Sequence, residues 1–258
     1  MNPLSDEKIL VLAGKQVGLD CLTHLIAAQA PIDQVVAGTT DDQAIVDLCQ
    51  ANGLAVTIYD KGLEETLSAN GGPWSWILSL WNPHILGARL LARASNTLNL
   101  HPALVPHCRG NDTAAWALAK ILPAGVSLLE MDEGVDTGGV WAQRPVEYTP
   151  LTRGRDLFQI LQRDLTDLFK TSWADIFAGH VNAQPQQGPV SAHTRKQTNK
   201  DRVRALDDDS AEIRFLRWAR AHDFAPGSTA EIVHAGKRYK LTIDLQEISA
   251  VDPAKDHN

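Results

Sequence analysis

The chain has 258 residues, 44% hydrophobic and 21% charged, with a formal net charge of −7 at pH 7. That composition describes a globular chain with a substantial core, in one large domain or one large and one small. The acidic balance argues against a general electrostatic pull towards nucleic acid or an anionic membrane surface. Three cysteines without close pairing suit a reducing compartment. Met1 to Glu7 lacks the basic and apolar regions of a secretion signal, and no uncharged apolar run approaches the roughly 18 residues of a membrane span. A cytoplasmic location is the expectation.

Ile9-Leu10-Val11-Leu12 is a continuous apolar run and predicts a buried parallel strand over 8–13. Gly14 to Gly18 reads as a turn, and Leu19, Leu22, Leu25 and Ile26 give helical spacing over 19–28. Further strands are expected at 35–37, 55–59 and 74–80. Helices fall between them at 42–52, with Asp41 or Asp42 as N-cap and Gly53 as stop, and at 63–69. Strand alternating with helix at this spacing predicts an α/β fold with a doubly wound, mostly parallel sheet. The Gly14–Gly18 turn is not GxGxxG, and no acidic residue clearly ends the second strand, so a plain strand-to-helix turn is preferred to a dinucleotide site.

Thr97 to His101, the apolar run from Gly125 and 140–148 read as the next strands, with a helix over 114–120 between the first two. Leu157, Leu161, Leu165, Leu168, Phe169 and Ile176 form one face of a long helix over 153–178. The polar, Pro- and Gly-containing stretch 182–188 reads as a linker that closes a catalytic domain over 1–181. A small C-terminal α+β module follows over 189–252, with a helix at 213–221 and a hairpin around Ala235-Gly236, then a short tail. Basic residues between His193 and Arg204 fit either a solvated linker or a contact to a nucleotide phosphate.

The chemistry is concentrated between Thr97 and Gly138. Asn99 and His101 stand two apart at the end of a strand, so both side chains share one face, and ligands of open parallel sheets sit beyond the carboxyl ends of the strands. Asp136 follows the next apolar run in a Gly-flanked loop. An amide donor, an imidazole and a carboxylate are the parts that acyl-type transfer needs. His101, His107, Cys108 and Asp136 do not have a usual zinc spacing, and no metal is expected.

Asn99-Leu100-His101-Pro102-Ala103-Leu104-Val105-Pro106 with Arg109-Gly110, and Gly125-Val126-Ser127 with Met131-Asp132-Glu133-Gly134 and Asp136-Thr137-Gly138, resemble the paired signatures of the formyltransferases that use N10-formyltetrahydrofolate. The resemblance is clear from about Lys8 to Gln143. It implies the formyltransferase fold, catalysis by Asn99, His101 and Asp136, and a folate pocket formed by Trp81, His84, Ile85, Leu86, Met131, Asp132, Gly134 and Val135. It also implies acceptor contacts at Lys15, Arg109 and Asn111. Arg109 to Asp112 with Trp116, the short connection after Lys120, and the resemblance of Arg220-Ala221, Phe224, Pro226-Gly227 and Gly236 to Tyr239 to a short C-terminal module are most like the sugar-nucleotide branch. They imply a nucleotide-linked amino sugar as acceptor, as in surface-polysaccharide precursors, and a homodimer without nucleic-acid or membrane partners. Ornithine-type amines and methionyl-tRNA remain rival acceptors. The acidic balance and short C-terminal region disfavour methionyl-tRNA. A folate-binding relative without catalysis and a hydrolase of the same donor are further rivals.

Overall fold

A computed structural model describes residues 7–202, 209–222 and 229–243. It divides into two compact units, Met1–Thr198 and Asn199–Asn258. Arg204, Phe224, Pro226-Gly227 and the expected tail lie outside the described residues.

The first unit is built on a seven-stranded sheet. Its strands are β1 (Ile9–Ala13), β2 (Ile32–Ala37), β3 (Val56–Ile58), β4 (Trp74–Leu80), β5 (Ala94–His101), β7 (Ala124–Leu129) and β8 (Val140–Val146), in the order β3-β2-β1-β4-β5-β7-β8. The pairs from β3 to β5 are parallel, and β5–β7 and β7–β8 are antiparallel. The sheet is therefore mostly parallel, and the first five strands carry the winding. β1 and β4 lie inside it and are covered on both faces, which is why Ile9 to Ala13 and Trp76 to Leu80 read as apolar runs without polar alternation.

Two cores follow from that arrangement. On one face α1 (Lys15–Ala27), α2 (Gln43–Ala51), α5 (Thr113–Lys120) and α6 (Gly154–Phe177) contribute buried residues to the larger cluster. Leu157, Leu161, Leu165, Leu168, Phe169, Trp173 and Ile176 repeat at the three- and four-residue spacing that keeps one stripe of α6 buried. Trp173 packs edge-on to Trp76 at 5.2 Å between ring centres. The opposite face is thinner. There Leu67 of α3 (Leu63–Asn70) and Leu90 of α4 (Ala88–Leu91) cover Leu10, Leu12, Val36 and Ile77.

α1 starts at Lys15, four residues before the expected helix. Gly14 is extended at φ −145, ψ 151, and the helix begins directly after it. Gly18 is not a turn residue. A Cβ there would lie 2.6 Å from the Leu80 carbonyl oxygen, so its role is close packing of the first helical turn on β4. Asp42 precedes α2 as expected, but its carboxylate does not cap that helix. It accepts from Lys15 N at 2.7 Å and from Thr39 N at 2.8 Å, and so ties the start of α1 to the end of β2.

The stretch expected as a linker lies along the first unit. Val140 and Gln184 exchange backbone hydrogen bonds of 2.8 and 2.9 Å. β9 (Ala192–His193) then pairs in parallel with β6 (Arg109–Gly110). Polar composition suggested a linker, but the Gln184 amide is partnered by the backbone of β8. In the second unit, α8 (Ala211–Ala221) is capped by the Ser210 side chain. β10 (Ala230–His234) and β11 (Lys237–Leu241) form a hairpin with positive φ at Ala235 and Gly236. Among the described residues, no helix is long and apolar enough to cross a membrane.

Candidate active site

β5 delivers Asn99 and His101 to the crevice beyond the carboxyl ends of β4 and β5. Leu98 and Leu100, which alternate with them, are buried in the larger core, so the strand turns Asn99 and His101 the other way. Ser79 Oγ on β4 donates to Asn99 Oδ1 at 2.8 Å. That fixes the amide so that Asn99 Nδ2 points at Asp136 Oδ1, 3.3 Å away. His101 is buried, with Nε2 3.1 Å from the Cys108 carbonyl. A carbonyl only accepts, so Nε2 carries a proton, and Nδ1 faces Asp136 Oδ2 at 3.5 Å. Gly110 N donates to the same Oδ2 at 2.9 Å. Asn99, His101 and Asp136 are thus brought together, and the carboxylate oxygens lie at the point where both donors converge.

The left-handed residue of the 131–138 loop is Asp136 itself, at φ 53, rather than one of its flanking glycines. Such a conformation costs an L residue about 1–3 kcal/mol and persists only where neighbours over-determine it. One of them was not expected from the sequence. Gln186 Nε2 donates to the carbonyls of Asp136 and Gly138 at 2.9 and 2.8 Å. Asp132 is also used within the loop, accepting from Gly134 N at 3.0 Å and from Thr137 Oγ1.

Two cavities meet at Asn99. The smaller, about 270 Å³, is lined by seven of the residues assigned to the folate: His84, Ile85, Leu86, Met131, Asp132, Gly134 and Val135. His84 is held on two sides. Its Nε2 lies 2.7 Å from the Gly38 carbonyl and its ring stacks on Tyr59 at 3.6 Å. The eighth residue, Trp81, departs from the expectation. Its backbone is left-handed at φ 61, and it lines the larger cavity, where its ring packs against Phe158 at 5.9 Å.

The larger cavity, about 700 Å³, also holds Lys15 and Asn111. Arg109 lines neither cavity. Its Nε and Nη2 donate to Gln186 Oε1 at 3.1 and 2.8 Å, so its guanidinium is turned away from the acceptor side assigned to it. The cations of the larger cavity are Lys15, Arg155 and Arg195. Arg195 belongs to the basic stretch whose composition allowed a phosphate contact; Arg155, just inside α6, carried no such signal. Asn82 borders both cavities, and its Oδ1 is buried without a partner. Cys108 is buried, which pushes its thiol up, and burial pushes Cys21 up to about 12. Neither has the lowered pKa of a reactive thiol.

Residues 77–163 match the family model described as "Formyl transferase". That segment contains Asn99, His101, Arg109 and Asp136. The likeness to the family is thus carried by the segment that holds the three converging side chains. The chain is 30% identical over 133 residues to a methionyl-tRNA formyltransferase of Roseiflexus sp., an alignment that covers 51% of this chain and 40% of the relative. It spans about half the length of the curated relatives it matches. Among solved structures, a 4-N formyltransferase of Francisella tularensis superposes with a TM-score of 0.69 at 20% identity, covering 94% of this chain and 99% of the other. An N-formyltransferase of Helicobacter canadensis, solved with folinic acid and dTDP-3-aminofucose, gives 0.64 at 20% identity, covering 79% and 77%. At these identities the likeness is one of fold. The fold is therefore the formyltransferase fold. Lys15, Gln186 and Arg195 lie outside the matched segment.

Proposed function

We propose that the protein transfers a formyl group from N10-formyltetrahydrofolate to the primary amine of a nucleotide-linked amino sugar. The observation that carries this reading is the convergence of Asn99, His101 and Asp136 where the two cavities meet. A donor in one cavity and an acceptor in the other would present their reacting atoms to the same three side chains. The smaller cavity suits a reduced pterin. Ile85 and Val135 leave apolar surface uncovered there, 80% and 52% exposed, and the orphaned Asn82 Oδ1 awaits an N–H donor.

N10-formyltetrahydrofolate would supply an electrophilic formyl carbon. Asn99 Nδ2 and, with His101 protonated on both ring nitrogens, His101 Nδ1 are the donors to the negative charge that develops on the carbonyl oxygen as the amine adds. Their contacts to Asp136, 3.3 and 3.5 Å, are long for hydrogen bonds and leave both donors free to strengthen towards a new acceptor. Asp136 takes the proton that the amine gives up, directly or through one water, and holds it for the departing nitrogen.

The acceptor class rests on the larger cavity. Lys15, Arg155 and Arg195 border it beside Asp42 and Asp112; Asp42 is held by backbone N–H groups and Arg195 pairs with Asp112, which leaves Lys15 and Arg155 to meet an anion. A diphosphate-linked sugar matches that balance, and the Helicobacter canadensis structure contains such a sugar nucleotide. Arg155→Ala is therefore expected to raise the acceptor KM by about tenfold or more, the scale of one charged hydrogen bond, with the donor KM unchanged. Steady-state kinetics with each substrate varied in turn checks this. Methionyl-tRNA is the second reading, because the curated relatives carry that name.

The test is a panel of nucleotide-linked amino sugars, ornithine and methionyl-tRNA, each incubated with the donor and read by mass. Gain of one formyl group on a nucleotide-linked amino sugar and on nothing else supports the reading. Gain on methionyl-tRNA or ornithine alone replaces the acceptor.

A further inference from the structure

Around Asp136 one set of polar groups is mutually partnered. Gln186 spends both amide hydrogens on the carbonyls of Asp136 and Gly138, at 2.9 and 2.8 Å. Its Oε1 accepts from Nε and Nη2 of Arg109, at 3.1 and 2.8 Å. The amide cannot be turned over. The guanidinium only donates and the carbonyls only accept, so the partners dictate its orientation.

The residue after Arg109 completes the loop. Gly110 N donates to Asp136 Oδ2 at 2.9 Å. Asp136 is thus gripped twice from one dipeptide: at its carboxylate through Gly110, and at its backbone through Arg109 and Gln186. Its left-handed φ of 53 is a conformation that needs such a grip. Gln186 is itself held on both sides. Gln184 bonds to Val140 in both directions, and Ser191 O accepts from Arg109 N at 2.9 Å.

We propose that Gln186, oriented by Arg109, is a positioning residue for formyl transfer, fixing the turn at 136–138 so that the Asp136 carboxylate faces Asn99 and His101. This rests on the reaction proposed above. It gives the stretch 182–188 a part in the site, although it lies outside the segment that matches the family model. Gln186 touches no reacting atom; its effect runs through the direction of one carboxylate.

The test uses the full chain with Gln186→Glu, Gln186→Ala, Arg109→Ala and the Arg109→Ala/Gln186→Ala double variant. Gln186→Glu is the decisive one. It keeps the length of the side chain and an acceptor for Arg109, but sets oxygen against two carbonyls in place of two N–H donors. It is expected to melt close to the wild type and to lose kcat by about ten- to a hundredfold, the scale of a small misplacement of a catalytic group. Both KM values should stay within about twofold. The double variant should be no worse than the worse single one, because the pair acts as a unit.

A second readout needs no turnover. The ring ¹⁵N resonances of His101, in protein labelled at histidine, should move in Gln186→Glu in the direction that Asp136→Asn moves them. Unmoved ring resonances, or wild-type kcat, in a folded Gln186→Glu protein overturn the proposal. A wild-type protein that formylates nothing on the panel removes the proposed reaction, and the resonances still decide whether Gln186 aims Asp136.

Discussion

The His101→Ala protein is expected to fold and to lose formyl transfer by about a hundredfold or more, the usual cost of removing one donor to a developing oxyanion. His101 is 4% exposed, so removing its ring leaves a small void and an unpartnered Cys108 carbonyl, a stability cost of about 1–3 kcal/mol. The surrounding strands, β4, β5 and β7, are fixed by backbone ladders that do not involve the imidazole. Asn99→Ala removes the second donor and frees Ser79 Oγ, and its loss should be of similar size. Asp136→Ala takes away the proton acceptor and the carboxylate both donors face, and should be as severe. Because the three act together, pairs of substitutions should cost far less than the product of the singles. Initial rates beside circular dichroism and melting curves separate loss of chemistry from loss of fold. A folded His101→Ala protein with near-wild-type turnover would remove His101 from the mechanism.

Gly110→Ala should be the most damaging single change to the frame of the site. Gly110 has φ +87, and a Cβ there would lie 2.2 Å from the His193 carbonyl oxygen. Both sides of that clash are backbone, so no side chain can yield. Either β9 leaves β6, taking with it the bonds from Arg109 N to Ser191 O and from Asn111 N to His193 O, both 2.9 Å, or Gly110 turns and withdraws its N–H from Asp136. The combined cost of strain and lost hydrogen bonds is about 2–4 kcal/mol. For a unit of this size that lowers the melting temperature by about 5–15 °C. Turnover should fall as well, since Gly110 N holds Asp136 Oδ2. A Gly110→Ala protein that melts within about two degrees of the wild type would mean that the β6–β9 pairing contributes little.

The features legible in the sequence share a cause. Ile9 to Leu12 and Trp76 to Leu80 announce buried strands because an inner parallel strand is covered on both faces, and the one polar residue among them, Ser79, is partnered by Asn99. The stripe of α6 is visible because one face of a long helix must be apolar. The spacing of Asn99 and His101 shows because alternate residues of a strand share a face. What stayed hidden depends on partners distant along the chain. Gly14 and Gly18 read as a turn, since a glycine that admits a neighbouring carbonyl has the same letter as one that bends the chain. Arg109 read as a substrate contact because the residue that occupies its guanidinium lies 77 positions away. Gln186 sits in a stretch whose Pro, Gly and Gln content describes a linker, and its role comes from two backbone carbonyls that leave no trace in composition. Trp81 follows β4 as expected, but the left-handed turn of its own backbone sends it to the other cavity.

The most direct test of the central claim follows consumption of N10-formyltetrahydrofolate, labelled with ¹³C in its formyl group, with and without a nucleotide-linked amino sugar. The expected result is consumption that requires the amine, with the label recovered on the sugar nitrogen and its transfer slowed by about a hundredfold or more in His101→Ala. Consumption at the same rate without any amine, with the label recovered as formate, would contradict transfer and make the protein a hydrolase of the same donor.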